Sequence, residues 1–157
     1  MYELCYLITK MFAIFALLFS IVFASDKSLN RTDLKCTGFA IHNVSLTAYY
    51  PVFETDDTRD YLDDQGDELK TLQDYLDGRA HYVTVAGNLK SGIPYRTKIC
   101  IEKLNEYFGK QIPLQIRDQN DYKNDKLIDF SRLEICVRTE EDTYDNHLND
   151  FVTIYIL

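Results

Sequence analysis

Six short segments of alternating or β-branched character constrain this chain more than any other feature. They run from Ile41 to Tyr50 (IHNVSLTAYY), Tyr82 to Ala86 (YVTVA), Lys98 to Glu102 (KICIE), Ile112 to Arg117 (IPLQIR), Arg132 to Arg138 (RLEICVR) and Phe151 to Leu157 (FVTIYIL). In the first, Val44, Leu46 and Ala48 alternate with Asn43, Ser45, Thr47 and Tyr49. Successive side chains of a strand point to opposite faces, so such alternation predicts a strand buried on one side. Six short strands, without the regular intervening helices of βαβ units, predict an all-β fold, a small closed barrel or sandwich. Alternation assigns Val44, Leu46, Val83, Val85, Ile99 and Ile101 to its interior, together with Ile116, Leu133, Ile135, Val137, Val152 and Ile154. A register slip of one residue would reverse any of these assignments.

Helical signals are few. Leu69, Leu72 and Leu76 fall at helical spacing between Asp67 and Leu76, with Gly78 placed to stop the helix. A second short helix is expected from Glu102 to Phe108, closed by Gly109, and a third from Glu140 to Leu148, where acids crowd the first turn.

Ahead of the strands, Met11 to Ala24 reads MFAIFALLFSIVFA behind Lys10. A cation, a short apolar run and small residues near Ala24 are the pattern of a secretory signal peptide. The run is shorter than the ~20 residues a spanning helix needs. Residues 1–24 are therefore expected to be a removed signal, which leaves a secreted, extracellular chain of 133 residues with no membrane segment. Three cysteines then remain, Cys36, Cys100 and Cys136. An oxidising compartment favours one disulfide with one free thiol, or a disulfide-linked dimer, and spacing alone does not choose the pair. No CxxC or CxxH pair is present, so no zinc site is expected. Asn30-Arg-Thr32 and Asn43-Val-Ser45 are glycan-acceptor triplets if the host is eukaryotic.

The formal charge is −8, and no basic stripe interrupts it, so nucleic acid is not an expected partner. The stretch from Glu54 to Asp77 carries ten carboxylates against Arg59 and Lys70. Its DDQGDE segment lacks the alternating oxygens of a calcium loop, and a solvated acidic face is the expectation. His42, His81 and His147 are scattered, no GxSxG occurs and no glycine-rich phosphate loop is present, so no cofactor is expected. Thr47 and Tyr49 share a strand face and offer a hydroxyl and a phenol side by side. Asp118 ends its strand where the chain turns polar. Glu134 sits mid-strand on one face with Arg132 and Cys136. If Asp118 and Glu134 meet on neighbouring strands, one pKa rises and the pair can supply a general acid for glycosidic cleavage. The competing expectation is a surface Glu134 paired with Arg132 or Arg117.

Several segments, taken in order, resemble the double-psi β-barrel domains of the 3D (three-aspartate), MltA and RlpA type, which are akin to expansins. They are LTAYY (46–50), TLQDYL and YVTVAGN (71–88), IPYRTKICI (93–101), FGKQIPLQIRD (108–118), SRLEICVRTEEDTYD (131–145) and VTIYI (152–156). The resemblance implies a six-stranded double-psi barrel over residues 44–157, with two or three short helices and with residues 25–43 as a lead-in. It implies action on cell-wall polysaccharide or peptidoglycan, by lytic-transglycosylase-like cleavage or by expansin-like loosening without cleavage. The family's three aspartates fall on Asn88, Asp118 and Glu134, which makes Asp118 and Glu134 the implied catalytic pair, with Thr47, Tyr49 and Asn88 binding substrate. Only Asp118 is kept as aspartate. Asn88 cannot ionise, Glu134 is longer by one methylene, Arg96 stands where glycine is usual, and the turn DQNDY has lost the family's glycines. These departures also fit a barrel that kept its fold as a glycan-binding or structural module. A barwin-like defence protein is a weaker alternative, since three cysteines cannot supply its disulfide framework.

Overall fold

The computed structural model describes residues 31–51, 58–122 and 127–157. The expected signal segment and the Asn30 acceptor lie outside the described residues, as do Glu54, Asp56 and Asp57 of the acidic stretch. Among the described residues no helix is long and apolar enough to cross a membrane.

The fold is a closed, mixed barrel of six strands: β1 (Phe39–Tyr49), β2 (Val83–Gly87), β3 (Thr97–Cys100), β4 (Leu114–Gln119), β5 (Arg132–Cys136) and β6 (Asp150–Ile156). Around the barrel the order is β1-β5-β2-β4-β3-β6. Two pairs, β1 with β5 and β2 with β4, are parallel, and the other four contacts are antiparallel. Closure leaves no free sheet edge among these strands.

All twelve side chains that alternation assigned to the interior are buried, from Val44 and Leu46 on β1 to Val152 and Ile154 on β6. Leu72, Leu104, Ile112, Leu114 and Leu148 complete the same core. At Gly87, a Cβ would sit 3.0 Å from Ile116 Cγ2 and 3.1 Å from Leu133 Cδ2, so a larger residue there would require these side chains to give by a few tenths of an ångström.

Among the described residues two short helices lie in the connections, α1 (Leu72–Leu76) and α2 (Glu102–Phe108). The first is half the length that leucine spacing suggested. Thr71 and Asp74 form a reciprocal capping box that starts it at Leu72. Residues 61–69 instead fold back as a tight hairpin, with Leu62 bridging Glu68. The segment from Glu140 to Leu148 forms two short 3-10 turns rather than one helix. β1 begins at Phe39, inside the expected lead-in. The lead-in is fastened by a Cys36–Cys100 disulfide and by the buried Asn105 amide, which donates to the Leu34 carbonyl at 3.1 Å. Cys136 is free and buried.

Candidate functional site

The strand register aligns three of the candidate residues, with Ala86 between two of them. On β1 and β5, Thr47 pairs with Glu134; across β5 and β2, Glu134 pairs with Ala86; across β2 and β4, Ala86 pairs with Asp118. Paired residues point to the same side of a sheet. The flanking residues Leu46, Leu133, Ile135, Val85 and Ile116 fill the interior, so this row lies on the outer face. Glu134 and Asp118 are two strands apart, about 10 Å at the backbone from a spacing of ~4.8 Å. Side-chain rotation can narrow that to the ~5–9.5 Å between paired glycosidase carboxylates.

Asp118 owes its place in the row to a bulge. Val85 pairs with Ile116 but Ala86 pairs with Asp118, so Arg117 is an extra residue in β4. Strict alternation through Leu114 and Ile116 would have turned Asp118 into the core. Arg117 is anchored outside the barrel, its side chain only 4% exposed. Its Nε donates to Asp63 Oδ2 at 2.8 Å, and Asp63 is fully buried. A second nitrogen of Arg117 pairs with Asp67, and the guanidinium lies over the rings of Tyr82 and Tyr95 at 4.7 and 4.9 Å. Asp63 also accepts from the Tyr95 hydroxyl at 2.7 Å and from the backbone N–H groups of Gln65 and Asp67 at 3.0 Å each. The DDQGDE segment is thus no plain solvated face: its first aspartate is a buried counter-ion for the bulge residue.

Tyr49 ties the row together. It pairs with Cys136 in register, and its hydroxyl donates to Asp118 Oδ2 at 3.0 Å. Because β5 and β2 separate β1 from β4, the phenol spans the outer face of both strands. Outward-facing Cys136 is buried, and Ala86 is 2% exposed. Burial pushes the Tyr49 phenol well above its usual range, with Cys136 and Asp118 adding to the shift. Burial also raises the Cys136 thiol to about 12, so it stays neutral and unreactive.

Both carboxyls are half-buried, and burial is the main cause that raises each above the ordinary carboxylate range. At Asp118 the Tyr49 hydroxyl and the Gln119 N–H oppose the shift. At Glu134 the opposing group is Arg132, whose Nε lies 3.0 Å from Oε1 in an ion pair. Glu134 therefore has the Arg132 partner expected of a surface carboxylate, yet its side chain is only 19% exposed. Asp118 is also among the charges that raise Glu134.

Asn88 does not join the row. It is buried just beyond β2, where its carbonyl accepts from the Ser91 hydroxyl at 2.6 Å and the Ser91 N–H at 3.0 Å. In the turn DQNDY, Asn120 is buried as well, its amide donating to the Arg132 carbonyl at 3.1 Å. Asn43 is exposed at a second bulge, on β1, with φ of 58°. Sequence reasoning missed Arg117, Asp63 and the bulge; no local pattern marks an arginine as the extra residue of a strand. No protein-family model and no curated protein matches this sequence.

Proposed function

We propose that the protein is a secreted, polysaccharide-acting barrel whose outer row binds a glycan chain and cleaves it by acid catalysis at Glu134. One observation carries the reading. Two half-buried carboxyls with raised pKa flank one residue, Ala86, on a single face, and a phenol donates to one of them. A raised pKa keeps a carboxylic acid protonated closer to neutral pH, as a general acid requires. Glu134 donates its proton to the glycosidic oxygen as the bond from the anomeric carbon breaks. Asp118, whose carboxyl accepts from the Tyr49 hydroxyl, stabilises the positive charge that develops on the sugar. A hydroxyl of the same sugar then attacks the anomeric carbon and returns its proton to Glu134, so no water is consumed. The Tyr49 ring and the Thr47 hydroxyl contact the sugar.

A second reading, glycan binding without cleavage, is favoured by two features. The Arg132 ion pair stabilises the anionic form of Glu134, and Asn88 is buried off the row. One experiment separates the two. The protein is incubated with peptidoglycan and with other wall polysaccharides, and soluble fragments are resolved by mass spectrometry. Cleavage predicts anhydro-sugar ends from wild type and none from Glu134→Gln. Retention on the polysaccharide without fragments supports the binding reading. Absence of both retention and fragments overturns the polysaccharide assignment.

A further inference from the structure

A groove of about 620 Å³ opens on the outside of the barrel beside β3 and β4, and neither Asp118 nor Glu134 lines it. In a chain of net charge −8, four cations line this groove, Lys70, Arg96, Lys98 and Arg117, against two carboxylates, Asp67 and Glu68. Three of the cations already have a carboxylate partner, and of these pairs only Arg96–Asp67 is exposed on both sides. Arg117 is neutralised by buried Asp63, Lys70 pairs with Glu68 at 2.5 Å, and Arg96 pairs with Asp67 at 3.1 Å. Lys98 is exposed and forms no ion pair among the described residues. It pairs in register with Gln115, so an ammonium and a carboxamide stand side by side facing the groove.

Arg96 adds an independent observation. Its φ is +68°, a left-handed conformation that disfavours any residue with a Cβ and suits glycine. An arginine held there keeps its guanidinium on the groove wall at the expense of backbone strain, and such strain concentrates at binding sites. Its side chain is 60% exposed, so burial of the stem does not explain its presence.

We propose that this groove is an anion-binding site, taking a sulfate or carboxylate group through Lys98 and Arg96, with Gln115 as a neutral donor. The anion is either free or carried by an acidic saccharide; the saccharide source rests on the polysaccharide reading above, and the anion site does not. Ammonium and guanidinium groups recognise such oxygens by charge-assisted hydrogen bonds.

The test is calorimetric titration of the protein with a sulfated hexasaccharide, an oligogalacturonate, a neutral chito-oligosaccharide and inorganic sulfate. At least one anionic probe is expected to bind, more weakly as salt rises, while the neutral sugar leaves the groove empty. Lys98→Ala and Arg96→Gly each weaken that binding about tenfold or more. Arg96→Gly at the same time raises Tm by about 3–5 °C, because the strain is relieved. A folded variant with poorer binding separates recognition from stability. Lys103→Ala, outside the groove, leaves affinity within about twofold. Lys98-dependent binding of sulfate with no binding of either acidic saccharide supports the anion site and removes its saccharide ligand. Affinities unchanged in Lys98→Ala and Arg96→Gly, or no anion bound at low salt, overturn the proposal.

Discussion

Replacing Asp63 by asparagine probes the contact that holds the β4 bulge open. Asparagine keeps the volume and retains an oxygen for the Gln65 and Asp67 N–H groups, which Asp63 Oδ1 accepts at 3.0 Å. It then presents an amide donor where Oδ2 now accepts from Arg117 Nε at 2.8 Å and from the Tyr95 hydroxyl at 2.7 Å. Arg117, 4% exposed, is left facing a donor. Removing one partner of a buried ion pair typically costs about 3–5 kcal/mol, because the remaining charge is desolvated and uncompensated. Arg117 keeps Asp67, whose side chain is half exposed, and two aromatic faces, so the lower end applies, about 3 kcal/mol. For a domain of this size that is a fall in Tm of about 10–15 °C. Chemical denaturation and differential scanning calorimetry measure it, with Asp64→Asn on the exposed side of the same hairpin as a control expected within about 0.5 kcal/mol. A double-mutant cycle with Arg117→Gln should return a coupling of about 2 kcal/mol. A loss below about 1 kcal/mol for Asp63→Asn, or a coupling near zero, would show that the bulge stands without the hairpin and refute this account of how Asp118 is aimed.

Two further outcomes follow from the same structure. Replacing Cys36 and Cys100 together by serine removes a link across 64 residues, and loop-closure entropy puts the loss at about 4 kcal/mol in urea denaturation. Burial raises Asp118 and Glu134 in the folded state, so between the ordinary carboxylate range and the raised values the folded chain holds more protons than the unfolded one. Their contribution to stability therefore falls as pH rises through that window. Asp118→Asn and Glu134→Gln should each be more stable than wild type at pH 7, with the advantage shrinking toward pH 3; an advantage that grows on acidification would contradict the burial argument.

The barrel was legible because its information is periodic. Leu133, Ile135 and Val137 alternate with Arg132, Glu134 and Cys136, and the alternation alone separates core from surface. What alternation cannot carry is a break in its own period. In IPLQIRD the pattern of Ile112, Leu114 and Ile116 runs on to Asp118, and only the insertion of Arg117 into the ladder turns that carboxylate outward. The partner that accounts for the insertion, Asp63, lies more than fifty residues upstream in a run of acids that all look alike in sequence. Leucine spacing between Asp67 and Leu76 overstated α1 for a related reason: the first half of that segment is committed to the hairpin that carries Asp63 and Asp67. Asn88, a position matched by resemblance, is buried just beyond β2, which no pattern in the sequence marks.

The outer row and the anion groove are therefore consequences of one distortion. Arg117 leaves the ladder, pairs with Asp63, and lines the groove together with Lys98 and Arg96. The residue after it, Asp118, is swung onto the same outer surface, where it meets Tyr49 and faces Glu134 across Ala86. A regular β4 would pair Arg117 with Ala86 and give up both arrangements together, burying a carboxylate in an apolar core at a cost that a barrel of this size cannot absorb. The acidic hairpin is thus what makes the bulge tolerable, because it supplies the counter-ion without which a desolvated guanidinium would favour the regular ladder. Loss of the Asp63 contact should accordingly disturb anion binding at Lys98 and the protonation of Asp118 in the same variant, though neither residue touches Asp63.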